Sequence, residues 1–223
     1  MADFLKTLAG RLPKRWQQNL KRFHFGRQIR LRRFSTWEPE YKLLSTFVSP
    51  GDWVVDVGAN VGHYTVRLSE LVGSQGRVVA FEPVPETFEL LAANVAFLPT
   101  KNVTLINAAA SDKVHLAGMT IPVSDTGLDN NYLAQLTTTA PTLQVLCLPI
   151  DALALPHAVR LVKIDAEGHE MPILEGMSGL LRRDHPILIV EDNTVAVAEF
   201  LESLGYTAEK LPGSSNRIFR TKE

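Results

Sequence analysis

The chain has a single cysteine among its 223 residues, Cys147, so neither an internal disulfide nor a cysteine-based metal cluster can form within it. No apolar run approaches the roughly 18–20 residues that a membrane-spanning helix needs. The first residues lack the apolar core and small-residue cleavage site of a secretory signal, so the expectation is a cytoplasmic protein. No G-x-x-x-x-G-K-S/T segment occurs, which excludes a P-loop, and no compact H-x-x-x-H spacing offers a metal pair. Internal repeats are also missing. What remains is an ordinary globular composition, 45% apolar, in a length that buries about 70% of its unfolded surface as one domain.

The most informative stretch is Val54–Gly62, Val-Val-Asp-Val-Gly-Ala-Asn-Val-Gly. A β-branched run ends on an acid, and a glycine turn leads into apolar-periodic Tyr64, Leu68, Leu71 and Val72. This is strand, tight turn, helix, the opening of an α/β nucleotide site. A second strand, 77–81, ends on Glu82, where a carboxylate suits the two hydroxyls of a ribose. The turn reads Asp56-x-Gly58-x-x-x-Gly62 and not the G-x-G-x-x-G of dinucleotide sites. A carboxylate there repels pyrophosphate but tolerates the sulfonium and ammonium of S-adenosyl-L-methionine (SAM). A plain structural turn is the competing reading of the glycines alone.

Further segments follow in order: Asn-Ala-Ala-Ala-Ser-Asp at Asn107–Asp112, Ile-Asp-Ala-Glu-Gly-His-Glu at Ile164–Glu170, and Ile-Leu-Ile-Val-Glu-Asp at Ile187–Asp192. Together with Asp-Val-Gly-Ala-Asn-Val-Gly and Phe-Glu-Pro, these resemble the FkbM family of SAM-dependent methyltransferases over about residues 37–223. The resemblance implies a seven-stranded, mostly parallel Rossmann-like methyltransferase sheet and O-methylation of a sugar, glycolipid or polyketide-type metabolite. It places Asp56, Gly58, Asn60 and Gly62 around the methionine part of SAM, Glu82 at the ribose, and Ser111 and Asp112 near the adenine.

Methyl transfer requires alignment and a proton acceptor, so acids and histidines at turns above the sheet are the candidates. Asp165 is the preferred base or positioning group, followed by Glu167 and His169 on the same turn; Glu191 and Asp192 are further acids. Glu170 reads equally well as an acid stabilising a helix N-terminus. His63 reads as packing at a helix start. Trp37, Glu38 and Tyr41 are candidates for the acceptor pocket. Asp165, Glu191 and a histidine could gather a divalent ion, but no ligand spacing supports one, so no metal is expected. A nitrogen or RNA methyltransferase, or a binding module without catalysis, stays open as an alternative; Ile-Asp-Ala-Glu-Gly in place of an Asn-Pro-Pro-Tyr-like motif disfavours the first two.

Net charge is −1, yet ten of the 23 Lys/Arg and only one of the 24 acids fall in residues 1–33. Phe4, Leu5, Leu8, Leu12, Trp16 and Leu20 recur at helical spacing among them. Residues 1–36 therefore form a basic amphipathic arm ahead of a domain at 37–223. The arm suits an anionic partner: a membrane surface, an acceptor lid or a homodimer contact, with peripheral attachment at the inner membrane surface as one location. Nucleic acid is disfavoured, since no RNA-binding signature accompanies the aromatics. The bland alternative is a helix packed on its own domain. Gln28–Phe34 alternates and reads as a short strand, 38–48 as a helix, Met119–Val123 and Leu143–Leu148 as strands around a polar loop, and 170–182 as one helix. Residues 206–211 and 216–221 read as a C-terminal antiparallel hairpin turned at Pro212–Ser215.

Overall fold

The computed structural model describes residues 13–122, 134–191 and 194–222. Asp192, Phe4, Leu5, Leu8, Leu12 and the first ten residues of the polar loop lie outside them. Seven helices are described: α1 Lys14–Arg30, α2 Pro39–Phe47, α3 His63–Val72, α4 Pro85–Val95, α5 Glu170–Glu175, α6 Ser178–Asp184 and α7 Val195–Ser203. The main sheet is built from β1 Trp53–Val57, β2 Arg77–Phe81, β3 Val103–Ile106, β8 Val159–Ile164, β9 Ile187–Val190, β10 Tyr206–Lys210 and β11 Arg217–Thr221. A second sheet holds β4 Ala109–Ala110, β5 His115–Thr120, β6 Gln135–Thr137 and β7 Leu143–Leu148.

The main sheet runs β10-β11-β9-β8-β1-β2-β3, parallel except where β11 pairs antiparallel with β9 and β10. This is the expected α/β sheet with its C-terminal hairpin. The central strands are apolar on both faces because helices cover both. Val55, Val57, Val162 and Leu188 pack beneath Ile173, Leu174, Leu181 and Leu201 of α5–α7. Val54, Val78 and Leu161 face Leu44, Leu68 and Leu91 of α2–α4. Strand order reverses at β1, which pairs with β2 on one side and β8 on the other. At such a switch point the flanking connections depart to opposite faces and leave a crevice over the strands' C-terminal ends.

Three local expectations are corrected. Gln28–Phe34 is not a strand: α1 continues to Arg30, and Leu31 and Arg33 donate backbone bonds to Arg27 and Gln28. Two alternating pairs were too short to separate period 2 from period 3.6, and Phe25 and Ile29, four apart, pack in one cluster with Phe34. The helix over 170–182 is broken between Glu175 and Ser178. Asp151 accepts the N–H groups of Gly179 at 2.8 Å and Leu180 at 2.9 Å, which starts a new helix, and a Cβ on Gly176 would lie 1.9 Å from the Ser111 carbonyl oxygen. The strand placed at Met119–Val123 runs instead over His115–Thr120, Leu143–Leu148 is a strand as expected, and the polar loop contributes β6, so what was unforeseen is the assembly of β4–β7 into a second sheet. Cys147 is buried in β7 as a small core residue.

Candidate active site

Val57–Gly58, Phe81–Glu82, Asp165–Glu167 and Glu191 meet above the switch point around a cavity of about 260 Å³, with Glu38, Asn60, Ala109, Met119 and His169 completing much of its wall. The β1 turn is drawn tight. Asn60 and Gly62 have φ of +51° and +97°, and a Cβ on Gly58, at φ +72°, would meet the Asp165 carbonyl oxygen at 1.8 Å. Only glycine lets these two strand ends come so close.

Glu82 is almost fully buried. Its two carboxylate oxygens accept the N–H of Asn60 at 2.9 Å and of Val84 at 2.8 Å, and each oxygen keeps a free lone pair. Burial pushes its pKa up to about 7. Asp56 does not reach the wall. It lies fully buried beneath the turn, takes the Thr65 hydroxyl at 2.5 Å on Oδ2, and leaves Oδ1 without a hydrogen-bond partner. Burial raises its pKa.

Between the acids lies Lys163, a residue the sequence reading passed over. It pairs in register with Asp56 across β1 and β8. Its ammonium donates to Asp165 Oδ2 at 2.8 Å and sits 4.8 Å from the Tyr64 ring centre. Burial alone would lower its pKa, but Asp165 and Asp56 raise it, so the ion stays charged. The signal was present: one Lys inside Val-Arg-Leu-Val-Lys-Ile, a strand otherwise apolar where it enters the sheet.

Asp165, Glu167 and Glu191 each bring one oxygen within 4.8 Å of the others. Burial opposes ionisation of Asp165, yet Lys163 and a hydrogen bond with Glu191 hold it below the usual carboxylate range. The same hydrogen bond, followed by burial, pushes Glu191 up to about 8. The pair therefore shares one proton at neutral pH, and the Lys163 ammonium 2.8 Å from Asp165 favours its place on Glu191. Ser215, from the turn between β10 and β11, also hydrogen-bonds Glu191. That turn is anchored where Ser214 and Asn216 donate to the buried Glu40 of α2.

His169 belongs to a different corner. Its Nε2 lies 3.0 Å from the Ser111 hydroxyl, which donates to Asp112 at 3.0 Å; Ser111 and Asp112 sit behind the histidine, off the cavity wall. Glu170 accepts the Gly168 N–H at 3.0 Å, a helix-start role. His63 stacks on Phe34 with ring centres 4.1 Å apart, and burial pushes its pKa down to about 4. Gly62 ends the turn, and Trp37 and Tyr41 are absent from the wall: Trp37 is 76% exposed, and the Tyr41 hydroxyl donates to the backbone at Phe34 and His63.

Glu82 and Glu191 hold protons in the fold that the unfolded chain releases from about pH 4.5 upward. Native protein then binds more protons than unfolded chain, so stability falls as pH climbs towards 8. Asp165 acts oppositely below its ordinary 3.8, and the buried His63, kept neutral in the fold, acts oppositely up to its ordinary 6.5. The ligand-free protein should thus lose melting temperature chiefly between about pH 6.5 and 8, and Glu191→Gln should flatten that slope. A melting temperature that rises across this range would contradict the proton-sharing pair.

The description of the FkbM methyltransferase domain matches residues 56–208. A hexuronic acid methyltransferase of Haloferax volcanii, AglP, is 26% identical over 151 residues, 66% of this chain and 59% of that protein. The chain thus spans less than two-thirds of that curated relative. Among solved structures, methyltransferase FkbM from Methylobacillus flagellatus superposes with a TM-score of 0.59 at 17% identity, over 82% of this chain and 50% of that one. Fibrillarin from Aeropyrum pernix, solved with natively bound SAM, has a TM-score of 0.51 at 15% identity, over 81% and 74%. At such identities these structures speak for the fold: a Rossmann-like methyltransferase sheet.

Proposed function

This chain belongs to the FkbM family of methyltransferases, and on that premise we propose that it methylates a hydroxyl of a sugar-bearing acceptor, using SAM. The observation that carries the reading is the charge of the cavity wall. Glu38, Glu82, Asp165, Glu167 and Glu191 line it, and no Lys or Arg does among the described residues. Even with protons held on Glu82 and Glu191, the wall offers acidic acceptors and no such cation, so it attracts a sulfonium and an ammonium and repels a pyrophosphate. The residues fit the cofactor in one more respect: Glu82 keeps lone pairs for two ribose hydroxyls.

When bound, SAM supplies a methyl group already activated for transfer. The chain's own work is to bind, align and take a proton. Gly58 and Asn60 orient the methionine end, Glu82 holds the ribose, and His169 with Ser111 and Asp112 borders the adenine end. Glu38 and Glu167 hold acceptor hydroxyls. The Asp165–Glu191 pair accepts the hydroxyl proton, with Lys163 fixing the Asp165 carboxylate. Since Glu191 titrates near pH 8, kcat/KM should rise through that region in wild type and lose the rise in Glu191→Gln. The sugar class is supported by the hexuronic acid specificity in the name of AglP and by a wall rich in hydroxyl acceptors. Nitrogen and RNA acceptors are the weaker reading, because Ile-Asp-Ala-Glu-Gly replaces an Asn-Pro-Pro-Tyr-like motif.

Calorimetry tests the cofactor. SAM and S-adenosylhomocysteine should bind at about micromolar Kd, and NAD should not. Glu82→Ala should cost SAM binding about 1–3 kcal/mol. Equal or tighter binding of NAD would overturn the assignment. Transfer of labelled methyl from SAM to a panel of hexoses and hexuronic acids tests the acceptor, and labelling of an amine in preference to every sugar would reject O-methylation.

A further inference from the structure

We propose that α1 docks this protein on an anionic lipid bilayer. Trp16, Leu20 and Phe23 enter the headgroup region, and a basic groove at the helix's C-terminal end receives lipid phosphate. The inference does not depend on the acceptor or on SAM.

The inner face of α1 is already used. Arg22 pairs with Glu89 of α4 at 2.9 Å, Gln18 donates to the Glu86 carbonyl, Gly26 abuts Phe97, and Phe25 and Ile29 join the cluster around Phe34. Trp16, Leu20 and Phe23 lie four and three residues apart, on the opposite side, and are 63%, 50% and 75% exposed. A helix whose only partner is its own domain presents polar residues outward. This one presents a tryptophan, a leucine and a phenylalanine. Residues 13–33 also carry eight Lys/Arg and no Asp or Glu. Apolar anchors in a wholly cationic setting are the composition of a helix lying in a bilayer interface.

The groove is a second, separate observation. It is a surface cavity of about 860 Å³, distinct from the one above the switch point, and its rim includes Arg30, Arg32, Lys42 and Arg67. Its one acid among the described residues, Glu70, is tied to Arg67 at 3.4 Å. Arg30 lies over the half-exposed Phe97 ring, 5.0 Å from its centre. Three cations thus remain in excess over an aromatic floor, suited to a phosphate attached to something apolar.

Charge decides among occupants. A second copy packed stripe to stripe would bring eight more cations against the first eight. An RNA would satisfy the cations but leave Leu20 with nothing to bury against. An anionic bilayer satisfies both the cations and the apolar stripe, and tryptophan favours its headgroup level. No described helix is long and apolar enough to cross a membrane, so attachment is at the surface. The groove's Arg32 and the active-site wall's Glu38 are six residues apart, at most about 20 Å along the chain, with exposed Trp37 between them.

Co-sedimentation of the full chain with vesicles tests this. Binding to phosphatidylcholine vesicles containing about one-third phosphatidylglycerol should exceed binding to pure phosphatidylcholine by about tenfold or more, and should weaken as salt rises. The combined variant Trp16→Ser, Leu20→Ser, Phe23→Ser should lower binding to the anionic vesicles about tenfold or more while its melting temperature stays that of wild type. If that variant fails to fold, Arg30→Glu with Arg32→Glu should produce the same loss. Failure to sediment with anionic vesicles, equal binding to neutral ones, or full binding by the variants would overturn the proposal. So would a dimer in light scattering that the triple substitution dissolves, or an RNA oligomer that binds with the same dependence on the stripe.

Discussion

Asp165→Asn should lower kcat by about 10²–10⁴-fold while SAM binding changes only a few-fold. Asparagine keeps the size and one acceptor oxygen but can neither carry the charge nor take a proton. Asp165 is the one cavity carboxylate held ionised by a buried cation, with Lys163 Nζ at 2.8 Å, and it shares a hydrogen bond with Glu191. Without the Asp165 carboxylate, Glu191 loses the hydrogen bond that is the largest cause of its raised pKa, and the charge repulsion with it, so the rise in kcat/KM near pH 8 should move towards lower pH in the variant. A structural role alone would not move that profile. An acceptor KM that climbs while kcat is kept would make Asp165 a positioning group. Wild-type kcat and KM in the variant would remove it from the mechanism and leave Glu167 next, within 4.8 Å. Chelators should leave activity intact, because the ammonium of Lys163, bonded to Asp165 Oδ2, already supplies a counter-charge to the cluster; inhibition reversed by Mg²⁺ would reassign it.

What the sequence makes legible depends on how local the cause is. Val54–Gly62 encodes its own strand, turn and helix, because β-branched residues, glycines and an apolar period act within nine residues. The same is true of Arg77–Glu82 and of the terminal hairpin, whose Pro-Gly-Ser-Ser turn is self-contained. The break in the 170–182 helix is different. It is caused by Asp151, nearly thirty residues away, taking the N–H groups of Gly179 and Leu180. The second sheet is likewise completed by its edge strands β4 and β6, two and three residues long, which carry too little period to be read alone. In the site, Asp165 and Glu82 were legible because acids at strand ends face a crevice in this topology. Ser215, which reaches Glu191 from the hairpin turn, depends on tertiary packing that no spacing announces. Asp56 is a motif acid whose surroundings the sequence does not announce: it lies beneath the turn, fully buried and paired in register with Lys163.

Lys163→Met should destabilise the ligand-free protein by about 3–5 kcal/mol at neutral pH, the cost of leaving buried carboxylates without their cation. Methionine matches the length of the stem and keeps its contacts, so the loss is chiefly electrostatic. Lys163 is the nearest counter-charge to both Asp56, fully buried, and Asp165, mostly buried. Once it is gone, both acids must take a proton or stay charged in an apolar setting; the folded pKa of Asp165 rises, and that of Asp56, already raised by burial, rises further. Native protein then holds protons that the unfolded chain lets go as pH increases, so the deficit should be smaller near pH 5 than near pH 8. Chemical denaturation at the two pH values measures this directly. Adding Asp56→Asn to Lys163→Met should restore part of the loss, because it removes one of the stranded charges, and the pair should be non-additive by about 0.5–3 kcal/mol. A Lys163→Met protein within about 1 kcal/mol of wild type at both pH values would mean that the acids are neutral in the native state, and it would take the fixed charge on Asp165 out of the catalytic argument as well.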